Sequence, residues 1–98
     1  MKILNDPRVD KEIRALPKLD SANVVRVVEM FTKYGFALTE QHLKKLGKNL
    51  WELRAGQIRL LFGLVEKSAI IVNIFLKKSQ KTPKKEIELA IRRLKEYL

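Results

Sequence analysis

Leu50-Trp51-Glu52-Leu53-Arg54, Ile58-Arg59-Leu60-Leu61-Phe62-Gly63-Leu64-Val65-Glu66 and Ala69-Ile70-Ile71-Val72-Asn73-Ile74-Phe75-Leu76-Lys77-Lys78 follow one another, with only Ala55-Gly56-Gln57 and Lys67-Ser68 between them. Short runs of apolar, β-branched and aromatic residues, separated by breaks this brief, predict three antiparallel strands joined by tight hairpins. In the first run Trp51 and Leu53 alternate with Glu52 and Arg54, which gives one apolar and one charged face. The third run is apolar almost throughout, as expected of a central strand covered on both sides. Such a sheet needs helices to cover it.

The flanking sequence supplies them. Asp6-Pro7 has the form of a helix cap followed by proline, and Val9, Ile13 and Leu16 then recur on one helical face before Pro17 ends the segment. Asp20 or Ser21 can cap a second helix carrying Val24, Val27, Val28 and Phe31, with Gly35 as its stop. Thr39 to Leu46 reads as one or two further helical turns closing at Gly47. Downstream, Thr82-Pro83 repeats the cap-plus-proline pattern, and Ile87, Ala90 or Ile91, Leu94 and Leu98 mark a C-terminal amphipathic helix. The expectation is an α+β chain in which residues 1–98 form one domain.

Composition narrows the functions. With 46% hydrophobic and 33% charged residues the chain can bury a core, which argues against disorder. It has no cysteine and a single histidine, His42, so disulfides, a thiolate nucleophile and cysteine- or histidine-built metal sites are not expected. No cofactor is called for. Neither a signal-like segment nor a membrane-length apolar run is present, which points to the cytoplasm. There is no glycine-rich phosphate loop and no paired-carboxylate site, so ATPase, kinase and glycosidase readings lose their footing. The remaining signal is charge: 21 Lys and Arg against 11 Asp and Glu give a net +10 and a pI of about 10.1. Lys77, Lys78, Lys81, Lys84 and Lys85 cluster without an acid among them, and Lys44, Lys45 and Lys48 form a second group. Polyanions are the natural partners of such a surface.

Two constellations carry possible chemistry. A two-residue turn at Gly56-Gln57 would set Arg54 directly opposite Arg59, and facing like charges are destabilising. An anion such as a phosphate between the two guanidinium groups would relieve the repulsion; so would Glu52 or Glu66. The second is Lys77 to Lys85, which leads from a buried strand into a helix start that already carries partial positive charge. Lysines there oppose helix stability and suit a phosphate site. Neighbouring cations also favour the neutral amine, so a lysine could act as general base without histidine. In metal-free RNA cleavage that base would take the 2′-hydroxyl proton, arginines would stabilise charge on the phosphate oxygens, and an acid would protonate the leaving 5′-oxygen. His42, Tyr34, Tyr97, Thr82 or another lysine could be that acid, and spacing does not choose among them. Trp51 suits either the core or a base-stacking role.

The blocks Leu46-Gly47…Leu50-Trp51-Glu52-Leu53-Arg54, Arg59, and Phe75-Leu76-Lys77-Lys78-Ser79-Gln80-Lys81-Thr82-Pro83 followed by Glu86-Ile87…Ala90 resemble the RelE/HigB toxin superfamily, most of all its phage-associated HigB-like branch. Val9-Asp10-Lys11-Glu12-Ile13-Arg14-Ala15-Leu16-Pro17 fits the same branch. The resemblance implies a RelE-like compact domain: a short N-terminal strand near Lys2 to Leu4, two helices, an antiparallel sheet and a C-terminal helix. It further implies the toxin of a type II toxin–antitoxin module that cleaves mRNA on the ribosome without metal, paired with an antitoxin, often of helix-turn-helix type. Arg54, Arg59, Lys77 and Lys78 match the catalytic positions, and Lys81 with Thr82 the RNA-binding ones. Lys44, Lys45, Lys48, Lys84 and Lys85 extend the expected RNA and ribosomal RNA surface. Family members often use a tyrosine or histidine as the acid, and no residue here matches it. A gyrase-directed toxin of the same superfamily and a non-catalytic RNA-binding module are the alternatives.

Overall fold

The computed structural model describes residues 1–98, in the order β1 (Lys2–Asn5), α1 (Pro7–Arg14), α2 (Lys18–Tyr34), β2 (Leu43–Gly47), β3 (Leu50–Ala55), β4 (Ile58–Val65), β5 (Ser68–Leu76) and α3 (Lys84–Leu94). Short 3₁₀ turns follow α2 at Gly35–Ala37 and α3 at Lys95–Tyr97. The three expected strands are the centre of a five-stranded sheet ordered β1-β5-β4-β3-β2. The first hairpin has the expected register, with Ala55 paired to Ile58 across Gly56-Gln57. Gly56 adopts a φ of 63°, a left-handed conformation that glycine reaches without steric cost. The second hairpin turns one residue earlier than the sequence suggested: Val65 pairs with Ser68, so Glu66 and Lys67 form the turn.

Helices cover both sheet faces. α1 and α2 bury Val9, Val24, Val27 and Phe31 against Leu53, Leu60, Phe62 and Ile71, whereas α3 buries Ala90 and Leu94 against Leu50, Leu61, Ile70 and Val72. Two glycine and bulge features make the second face possible. A side chain at Gly63 would clash with Leu94 and come within 2.7 Å of the Asn49 carbonyl oxygen, so only glycine lets α3 approach β4 this closely. A register shift between β4 and β5 pairs Leu61 with Asn73 but Phe62 with Ile71. The bulge puts Val72 in the α3-side core while the neighbouring Asn73 also serves α3, donating to the carbonyl and side chain of Glu86, each at 3.1 Å. Asn73 thereby fixes where α3 begins.

Several sequence expectations change. Thr39 to Leu46 is not helical: Leu43–Gly47 is the edge strand β2, paired with β3, because Leu43 and its neighbours gain more from the sheet than from an isolated turn. The sheet is mixed rather than antiparallel, since β1 runs parallel to β5 from Lys2↔Ser68 to Asn5↔Ile71. Neither Asp20 nor Ser21 caps α2, which starts at Lys18 behind Pro17, and the Ser21 hydroxyl donates to the Lys18 carbonyl. Gly35 does end α2, at a φ of 55°. Thr82 does not cap α3 either; Pro83 holds the cap position without a side-chain hydrogen bond.

Candidate functional site

Where β3, β4 and the end of β5 meet the segment leading into α3, a polar cleft of about 120 Å³ opens. Its charged lining is Arg54, Arg59, Lys77, Lys78, Lys81 and the carboxylate of Glu52; Phe75 is its only large apolar wall. The hairpin register places Arg54 opposite Arg59 on one sheet face. Glu52 sits between them, its Oε2 accepting from Arg54 Nε at 3.3 Å and its Oε1 3.9 Å from Arg59 Nε. Glu66 has no part in this: it lies in the turn after β4, at the opposite end of that strand from Arg59.

Each arginine is also tied to backbone. Arg54 Nη1 donates to the Glu40 carbonyl at 3.1 Å, and Arg59 Nη1 to the carbonyls of Gly56 and Ile58 at 2.8 and 3.1 Å. Burial pulls the Arg59 guanidinium below its ordinary pKa, Glu52 opposes that, and the Arg54 charge adds to it. A guanidinium so placed still carries its proton and gains most from a further anion. The Lys77 amide donates to the Gln57 carbonyl at 2.7 Å, which joins the lysine-rich segment to the hairpin turn.

Thr82 has a role other than capping. Its hydroxyl donates to Glu52 Oε1 at 2.8 Å, binding the approach to α3 to the arginine pair. Of the acid candidates, Thr82 alone, beside the lysines, lines the cleft. Tyr97 donates to Asp6 Oδ2 at 2.7 Å, His42 lies alongside β3 with its Nδ1 3.5 Å from the Arg54 carbonyl, and Tyr34 stands half exposed at the end of α2 beside Lys33.

The other lysines divide. Lys44 pairs across the sheet with Glu52 and is a near neighbour of the cleft. Lys45 places its ammonium 5.4 Å over the Trp51 ring, and Trp51 stacks on Phe62 at 5.6 Å, which accounts for this tryptophan as packing. Lys48 borders an apolar groove beside α3, Lys84 faces Glu88 one helical turn on, and Lys85 borders a hollow next to the cleft. Glu52 is the site residue that sequence reasoning undervalued. Its alternation with Trp51 put it on the charged face, and a carboxylate buried there had to serve the arginines.

The model of the family described as "Phage derived protein Gp49-like (DUF891)" matches residues 11–95. The chain belongs to this Gp49-like family. No curated protein matches the sequence. Among solved structures, a chain of the archaeal RelE-RelB complex from Pyrococcus horikoshii OT3 is similar, with 18% identity, a TM-score of 0.67, and coverage of 78% of this chain and 93% of that one. A chain of the RelB-RelE antitoxin-toxin complex from Methanococcus jannaschii matches with 17% identity and a TM-score of 0.60, covering 82% of this chain and 99% of that one. The Gp49-like chain, with its five-stranded sheet and three helices, thus has the α+β fold found in RelE toxins.

Proposed function

We propose that residues 1–98 act as one toxin domain of a type II toxin–antitoxin module, in the cytoplasm, as a ribosome-dependent endoribonuclease of the HigB-like branch. The observation that carries this reading is the paired Arg54 and Arg59 at the floor of a lysine-walled cleft. Such a floor suits a phosphodiester, whose charge rises as the reaction proceeds. Arg54 and Arg59 hold the scissile phosphate, and Lys77 or Lys78 accepts the 2′-hydroxyl proton. The 2′-oxygen then bonds to phosphorus while the bond from phosphorus to the 5′-oxygen breaks, leaving a 2′,3′-cyclic phosphate. The departing 5′-oxygen takes a proton from a second, protonated lysine. Lys81, with Lys84 and Lys85, grips the RNA backbone, and Lys44, Lys45 and Lys48 extend the surface towards ribosomal RNA. The neutralising partner is a co-encoded antitoxin of helix-turn-helix type. No helix is long and apolar enough to cross a membrane.

The test adds purified protein to programmed ribosomes and to naked mRNA, with EDTA, beside the Lys77→Ala/Lys78→Ala variant. A-site cuts that appear only on ribosomes and fade at least a hundredfold in the variant are expected, the scale of losing a proton-transfer group. Intact mRNA in every lane would leave the gyrase-directed or binding-only readings.

A further inference from the structure

Glu52 is 2% exposed, and its surroundings are unusual for a counter-ion. A strong guanidinium–carboxylate pair uses two parallel N–H donors from one arginine. Here the nitrogen nearest to Glu52 is Nε in each arginine, and only that of Arg54 comes within hydrogen-bonding distance. With both Nη1 groups spent on backbone carbonyls, the Nη2 groups of Arg54 and Arg59 have no hydrogen-bond partner in the protein, yet neither is a buried orphan. The third contact, from the Thr82 hydroxyl, ties the same carboxylate to the segment carrying Lys77, Lys78 and Lys81.

We propose that Glu52 is the positioning residue of this site: it fixes the Nε edges of Arg54 and Arg59, reserves their Nη2 groups for one RNA phosphate, and by its own charge restrains the cleft from gripping polyanions at large. The inference rests on the phosphate-cleft reading above and adds to it an element of selection. A chain of net charge +10 attracts any polyanion. A fixed carboxylate at the floor makes binding depend on reaching the two free donors in the right geometry, instead of on charge alone. A purely structural counter-ion would do neither.

Glu52→Gln separates the two roles, because it keeps the size and removes the charge. For a short RNA whose 2′-oxygens are methylated and cannot react, the variant is expected to bind about tenfold tighter, with a steeper dependence on salt. Cleavage on programmed ribosomes should fall at least about tenfold despite the tighter binding. Glu52→Asp should restore wild-type affinity for the methylated RNA but not full cleavage. Unchanged or weaker binding by a folded Glu52→Gln protein overturns the proposal. The wild-type protein gives a second measurement that does not depend on the variant folding: in an inorganic phosphate titration followed by NMR, the Arg54 and Arg59 Nη resonances should move while their Nε–H resonances stay near their starting shifts. Equal movement of both sets also overturns it. If the wild type cuts no RNA, the binding and NMR results still decide the role of Glu52, so failure of the nuclease reading is seen separately.

Discussion

Two buried carboxylates meet arginines in this protein, with opposite outcomes. Asp6 caps α1, accepts from the Arg8 amide, and receives both Nε and Nη2 of Arg8 at 2.8 and 2.7 Å. Tyr97, from the other end of the chain, adds a fourth donor at 2.7 Å, and Arg8 turns to Glu96 at 2.9 Å as well. This is one arginine shared between two acids, with the buried acid saturated. At Glu52 one acid is shared between two arginines, whose contacts are longer and incomplete. A saturated carboxylate makes a latch; an outnumbered one leaves cationic valence for a ligand. The difference teaches that counting ion pairs says less than asking which side of each pair is left over.

The largest effect should come from the latch. Asp6→Ala removes a helix cap and leaves the Tyr97 hydroxyl without its acceptor, at an expected cost of about 2–4 kcal/mol, read as a lower urea midpoint. Affinity for RNA should be untouched; if it falls in parallel, the two regions are not separable. Arg54→Ala tests the other side. It leaves the buried Glu52 carboxylate with Thr82 and the more distant Arg59, so some stability is lost, though less than with Asp6→Ala, while RNA affinity drops about tenfold. A stability loss as large as that of Asp6→Ala would show that the cleft, too, is structural.

The third effect is smaller and lies in pH. The bidentate contact with Arg8, then the Tyr97 and Arg8 backbone contacts, hold the Asp6 carboxyl well below the usual carboxylate range against the opposing effect of burial. Its folded value is depressed, so its contribution is present above about pH 4 and is lost as pH falls from there. The Tyr97 phenol is pushed up to about 12 by its hydrogen bond to Asp6, with burial second. A raised value means a contribution that is full below about pH 10 and disappears as pH climbs towards 12. Tyr97→Phe should therefore flatten the alkaline fall of the melting temperature. An unaltered alkaline limb in that variant would remove Tyr97 from the latch.

Local signals made much of this legible. A two-residue turn fixes hairpin register, so the opposition of Arg54 and Arg59 followed from spacing alone. The capped start of α1 at Asp6-Pro7 and the stop at Gly35 were equally local. What escaped is held by distant partners. Leu43 and Leu46 are three residues apart, which imitates a helical face, and only pairing with β3 makes Leu43–Gly47 a strand. The parallel pairing of β1 was suggested by no pattern in Lys2–Asn5, whose side chains are mostly exposed. Glu52 was visible as one possible neutraliser of the arginines, but its hydrogen bond with Thr82 joins residues 30 apart and has no sequence trace. The latch joins residues 91 apart and has none either.

The pairing of the first strand with the fifth also sets an order of events. A chain made from its N-terminus can form α1, α2 and the β3–β4 hairpin from neighbouring residues, but Lys2–Asn5 has no partner until Ser68–Ile71 has been synthesised. Asp6 then waits for Tyr97, 91 residues further on. Thr82 and the cleft lysines Lys77, Lys78 and Lys81 also emerge only after Ser68–Ile71. The nascent chain therefore carries its basic hairpin without the wall that completes the cleft, and gains first the site and then the latch only after the fifth strand has been made.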